Sequence, residues 1–176
     1  MVDISAALVK ELREKTGLGL MDCKKALQGS NGDIDLAIEE LRKTSGLKAS
    51  KKSSRSAADG LIGAVSESGK VSMIEVNCET DFVARDDSFQ EFVKEAVNQV
   101  AANPDSDLES LLRNSLEEKR EKLVQKLGEN IVVRRISRSV EHASSSGLYV
   151  HSNKKIGTTF SLEGGNEATA KDIAMH

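Results

Sequence analysis

The spacing of apolar residues changes character once along this chain, at Asp59-Gly60. That change constrains the fold more than any other feature. Before it, apolar residues recur at helical intervals and glycines punctuate them; after it, short strand-like runs alternate with long helical ones. Such a sequence predicts an all-helical module followed by an α+β core with an antiparallel sheet.

The helical part is predicted to be a compact three-helix unit over residues 1–46. In Ser5–Lys15 the residues Leu8, Val9 and Leu12 share a face, and Gly17 stands where a C-cap glycine would. A second segment, Met21–Gln28, carries Met21, Cys23, Ala26 and Leu27 and stops at Gly29. In the third, Asp33 is placed to N-cap a helix whose Ile34, Ala37, Ile38 and Leu41 follow the i, i+3, i+4, i+7 pattern. Helices this short bury little individually and must pack on one another. Residues 47–57 then turn to Ser, Ala and basic side chains (Lys48, Lys51, Lys52, Arg55) with no acid until Asp59. They are predicted to be a basic flexible linker, with contact to RNA or to an acidic protein face as the functional alternative.

Beyond the switch, Leu61–Val65 and Val71–Val76 flank a Glu67-Ser68-Gly69 turn, the pattern of a hairpin. Asp87 and Gln90 form a capping-box variant ahead of a stripe of Phe89, Phe92, Val93, Ala96, Val97 and Val100. Pro104 ends that helix, a charged helix is expected from about Asp107 to Leu127, and Ile131–Val140 reads as a strand with outward-facing Arg134, Arg135 and Arg138. Hairpin and helix then recur: Leu148–His151, a Ser152–Lys155 turn, Ile156–Leu162, and a helix beginning near Asn166. The core thus divides into residues 58–140 and 141–176, two copies of one β-β-α unit. The copies differ in one respect. Glu163-Gly164-Gly165 joins strand to helix in the second, whereas the first carries an elaborated connection from Asn77 to Asp86.

Chemistry finds little purchase. His142, His151 and His176 form no metal-binding pair, no Ser stands in a G-x-S-x-G elbow, and Gly17-Leu18-Gly19 lacks the G-K-[ST] ending of a phosphate loop. Asp81, Asp86 and Asp87 cluster without the loop spacing of a calcium site. Cys23 and Cys78 lie outside any C-x-x-C and are expected to be buried thiols. An enzyme, a bound cofactor and a resident metal are therefore not expected. With 25 Lys and Arg against 28 Asp and Glu, the net charge of −3 argues against a dedicated nucleic-acid binder. No apolar run nears the ~18 residues of a membrane span. Met1-Val2-Asp3 begins no basic, apolar leader, so the cytoplasm is the expected compartment.

Within the elaborated connection, Phe82 and Val83 either tuck back beside the following helix or project, in which case Asp81-Phe82 offers a partner one aromatic anchor beside a carboxylate. On the second helix, Met21, Asp22, Lys24 and Lys25 are either a solvated face or a contact surface.

Two long strings bear on these alternatives. LVKELREKTGLGLMDCKKAL (Leu8–Leu27) and EVNCETDFVAR (Glu75–Arg85) resemble the signature segments of elongation factor Ts, the guanine-nucleotide exchange factor for the translational GTPase elongation factor Tu. NGDIDLAIEELR, AADG, GENIVVRR, YVH, NKKIG and DIAMH follow in the family's order. The resemblance implies a ubiquitin-associated (UBA)-like N-terminal module that docks on the GTPase, and a core of two repeated subdomains. It implies that Thr80, Asp81, Phe82 and Val83 form a tip that dislodges Mg²⁺ from the GDP-bound partner, with Met21, Asp22, Lys24, Lys25 and His151 as further contacts. It implies no direct nucleotide binding by the chain itself. Members of the family continue beyond the D-I-A-M-H segment, so the second subdomain is expected to be incomplete, as in a C-terminally truncated chain.

Overall fold

The computed structural model describes residues 4–140 and 142–176. Met1-Val2-Asp3, read above for a leader, and Glu141, the first residue of the expected second subdomain, lie outside them. The chain divides into two units: Met1–Arg55 with Glu118–Asn130, and Ser56–Glu117 with Ile131–His176.

The first unit begins with α1 (Ala6–Thr16), α2 (Leu20–Gly29) and α3 (Ile34–Lys52). Local chemistry sets their ends. Ser5 caps α1 by accepting from the Leu8 amide, and Asp33 caps α3 by accepting from the Leu36 amide. Gly17 leaves α1 at φ 69°, a left-handed conformation that glycine adopts without cost. Val9, Leu12, Leu18, Cys23, Ala26, Leu27, Ala37 and Leu41 form one buried cluster.

The structure departs from the predicted linker. Residues 47–52 continue α3 for more than another turn, because Ser45 and Ala49 extend its buried face and Lys51 and Lys52 suit a helix C-terminus. The extended helix is met from far along the chain, by residues of and just after α7 (Glu117–Leu127), expected to stay with residues 58–140. The Ser45 hydroxyl donates to Gln125 Oε1, Arg42 pairs with Glu118 at 3.4 Å, and Lys52 Nζ donates to the Gly128 carbonyl at 2.6 Å. Buried Asn130 donates to the Arg55 carbonyl at 2.8 Å. Linear periodicity cannot report such a meeting.

In the second unit β1 (Asp59–Glu67), β2 (Lys70–Cys78) and β3 (Val132–Arg138) form an antiparallel sheet in that order. Ser68 and Gly69, both at positive φ, make the two-residue β1–β2 turn, a geometry matched to strand twist. The predicted aromatic stripe forms α5 (Asp87–Ala102), with Phe89, Phe92, Val93, Ala96, Val97 and Val100 buried. Its cap is Asp86, one residue before the expected position; Asp86 accepts from the Ser88 amide. The charged helix is interrupted: α6 (Leu108–Leu111) passes through a π-turn, Leu112–Leu116, into α7. Not all three β3 arginines face solvent freely. Arg135 pairs with Glu75 at 2.6 Å, and Arg138 donates to the carbonyls of Asn103 and Ser106 at 3.0 and 2.9 Å, satisfying groups just past the end of α5. The second hairpin, β4 (Ser145–Val150) and β5 (Gly157–Leu162), leads to α8 (Glu167–Met175), capped by Asn166.

Candidate functional site

The connection between β2 and α5 folds into a single helical turn, α4 (Asp81–Ala84). One turn of helix does not stand alone in water, so its supports are tertiary and local. Thr80 Oγ1 accepts from the Val83 amide, and the Arg85 amide closes the turn on the carbonyls of Asp81 and Phe82 at 3.2 Å each. Just before it, the buried Cys78 thiol donates to the Thr80 carbonyl at 3.2 Å, and after it Gln90 Nε2 donates to the Arg85 carbonyl at 3.2 Å. Val83 and Ala84 are buried, and α4 packs on β1 and β2.

These supports orient Phe82 outward. Its side chain is 80% exposed, more than any other large apolar side chain among the described residues. Burying a Phe ring is worth roughly 1.5–3 kcal/mol, and here that free energy is left ungained on a turn held from both ends. Asp81 lies beside it and pairs with Arg85 at 2.9 Å across the turn. The four residues of the expected tip therefore divide: Thr80 caps, Val83 anchors, and Asp81 and Phe82 face out.

His151 sits in the β4–β5 loop, exposed, with Tyr149 edge-on at a centroid distance of 6.4 Å. That loop docks on β1: Lys155 Nζ donates to Asp59 Oδ2 at 2.8 Å and the Ile62 amide donates to the Lys154 carbonyl at 2.7 Å. Register places Asp59 opposite Cys78, two residues before Thr80. Hence the tip and the His151 loop meet the same end of the three-stranded sheet. The hydrogen bond from Lys155, then that from the Gly60 amide, hold the Asp59 carboxyl below its usual range, with the charges of Lys155 and Arg85 adding to the effect.

The remaining expected residues lie in the first unit. Met21 is 61% exposed, and Lys24 and Lys25 face solvent. Asp22 is engaged internally: it accepts from Gln125 Nε2 at 3.0 Å and from Lys48 Nζ at 3.0 and 3.1 Å. Its carboxyl is held below the ordinary range first by the Gln125 hydrogen bond, against partial burial, and then by Lys48 and Lys25. Two lysines of the segment predicted as a basic linker are likewise engaged, Lys48 with Asp22 and Lys52 with the Gly128 carbonyl, which weakens the RNA alternative. Sequence inspection overlooked Arg85 and Lys155. The i, i+4 spacing of Asp81 and Arg85 was the available signal for the first; none exists for the second, whose partner is remote.

Among the described residues no three His, Cys, Asp or Glu converge to hold a metal, and no helix is long and apolar enough to cross a membrane. The arrangement offers a rigid aromatic contact. Comparison with known proteins places the chain in a family. The family model described as elongation factor TS matches residues 79–176, beginning just before the tip and covering more than half of the chain.

The chain belongs to the elongation factor Ts family.

Curated relatives agree along the whole chain. Elongation factor Ts of Marinobacter nauticus is 54% identical over 178 residues, that of Hahella chejuensis 52% over 178, and that of Cellvibrio japonicus 51% over 178, each alignment covering 100% of this chain. The chain spans 61%, 62% and 61% of those elongation factor Ts proteins respectively.

Proposed function

We propose that this protein is a translation elongation factor that binds the GDP-bound GTPase elongation factor Tu and promotes release of the nucleotide. The single observation that carries the reading is Phe82, 80% exposed on a capped and anchored turn within the family-matched segment. An aromatic side chain presented on a rigid support binds with little loss of conformational entropy, as interface hot spots do.

In this reading the face that carries Asp81 and Phe82 approaches the partner's Mg²⁺ and phosphates with the ring foremost, while Thr80 and Val83 hold the turn in shape. Mg²⁺ neutralises phosphate oxygens, so displacing its supports weakens a large attraction without making or breaking a covalent bond. GDP leaves faster, and GTP then rebinds. Linkage makes the effect reciprocal: whatever factor the exchange factor takes from GDP affinity, GDP takes from its affinity. The protein itself needs no nucleotide, cofactor or catalytic residue, and it works in the cytoplasm without a specific nucleic acid. The three-helix, UBA-like module adds contacts through Met21, Lys24 and Lys25, and the core's second hairpin adds one through His151. Asp22 serves the module from within.

The test is stopped-flow release of a fluorescent GDP analogue from elongation factor Tu. The parent chain is expected to accelerate release, and Phe82→Ala to lose at least about tenfold, equivalent to ~1.4 kcal/mol in activation free energy. Equal rates for the two would defeat the role of the tip; no acceleration by either would defeat the exchange function.

A further inference from the structure

The Arg85 side chain has no role in the exchange reading as described so far, yet it is the only basic residue between Lys70 and Lys94, a stretch holding Glu75, Glu79, Asp81, Asp86, Asp87 and Glu91. Its guanidinium contacts Asp81 Oδ2 at 2.9 Å, spanning the turn that carries Phe82. Its main chain is occupied separately: the amide closes α4, and the carbonyl accepts from Gln90. Replacing the side chain therefore removes the ion pair and leaves the turn's backbone bonds in place. The pair draws the Asp81 carboxylate toward the far end of the turn. It also offsets the charge that Asp81 would otherwise carry, unpaired, toward anything anionic.

Resting on the exchange reading above, we infer that Arg85 is a positioning residue of the tip: paired with Asp81, it holds that carboxylate aside and neutralised, so that Phe82 leads into a site already rich in phosphate charge. An unpaired Asp81 would meet phosphate oxygens as a like charge and would oppose the approach of the ring. Arg85 acts through Asp81 and touches no reacting group. Its contribution accordingly belongs to the step after encounter, when the tip enters, and not to the first docking of the two proteins.

The experiment measures fluorescent GDP release from elongation factor Tu over a range of concentrations of the parent chain, Arg85→Ala, Arg85→Lys and Phe82→Ala. This separates the maximal rate from the half-saturating concentration. Arg85→Ala is expected to lower the maximal rate by about three- to tenfold with the half-saturating concentration within about twofold of the parent, and Arg85→Lys to recover most of the loss. Thermal unfolding of both variants should match the parent, because an exposed pair adds little stability. A raised half-saturating concentration at unchanged maximal rate would make Arg85 a direct partner contact and overturn the positioning role. So would parental kinetics in Arg85→Ala alongside a slow Phe82→Ala, an outcome that leaves the exchange reading intact. Failure of the parent itself to accelerate release would overturn both.

Discussion

The two hairpin-helix repeats of the second unit differ most where strand gives way to helix. From β5 the chain reaches α8 through Glu163, Gly164 and Gly165, with both glycines left-handed at φ 83° and 79°. From β2 it reaches α5 through a capped helical turn that buries Val83 and Ala84 and exposes Phe82. Glycine reverses a chain in the fewest residues, but presents no side chain to a partner. The longer connection needs its own caps and anchors, and in return it displays an aromatic ring at a defined place. Hairpin and helix thus pack in both copies, while only the longer connection carries an exposed aromatic ring.

Substitutions can break or sharpen that contrast. The largest effect is expected where strand meets helix. A Cβ on Gly147 would stand 2.1 Å from the Ala170 carbonyl carbon, whereas one on Gly63 would meet first a Val93 methyl at 2.8 Å. Backbone cannot step aside as a side chain can. Gly147→Ala is therefore expected to cost more than about 3 kcal/mol and Gly63→Ala about 1–3 kcal/mol, measured by denaturant unfolding. Equal costs would mean that the two repeats pack their helices alike.

Next come the caps. Thr80 caps α4 and Asn166 caps α8, each through a side-chain oxygen accepting from a backbone amide. Loss of either cap by substitution with Ala should cost about 1 kcal/mol. Only Thr80→Ala should also slow GDP release from elongation factor Tu, because only that cap lies under the exposed ring. Slow release in Asn166→Ala would place function in both connections.

The smallest effect concerns the first unit, which has no repeat and is tied by Asp22. Its folded-state pKa is lowered, so the bonds to Gln125 and Lys48 contribute fully above the unfolded value of about 3.9 and fade as pH falls through the lower folded value. Hydrogen exchange in α7 should therefore be insensitive to the state of this carboxyl near neutrality and lose protection only below about pH 4. In Asp22→Asn that acid-linked loss should vanish, and a variant that retained it would assign the effect to another group.

Much of this fold is legible in the amino-acid sequence, and for a common reason. Ser5, Gly17, Asp33 and Asn166 end or begin helices by interactions within four residues of themselves, and Ser68-Gly69 reverses the chain within a single turn. Misjudged elements have partners farther off. Residues 47–52 looked like a tether because the partners that meet the extended helix are remote: Ser45 donates to Gln125 and Lys52 to the Gly128 carbonyl. Arg138 looked like a solvated strand residue because the carbonyls it satisfies lie some thirty positions earlier.

The candidate site divides along the same line. The family strings pointed to Thr80, Asp81, Phe82 and Val83 as a tip, and the residue pattern by itself left open whether Phe82 projects or tucks in. Only the folded chain decided that Phe82 faces out while Val83 faces in, that Asp22 is spent on Gln125 and Lys48, and that Lys155 brings the His151 loop to the sheet end from which the tip rises. Burial and pairing depend on which distant groups compete for the same space and the same charge, and periodicity carries no record of that competition.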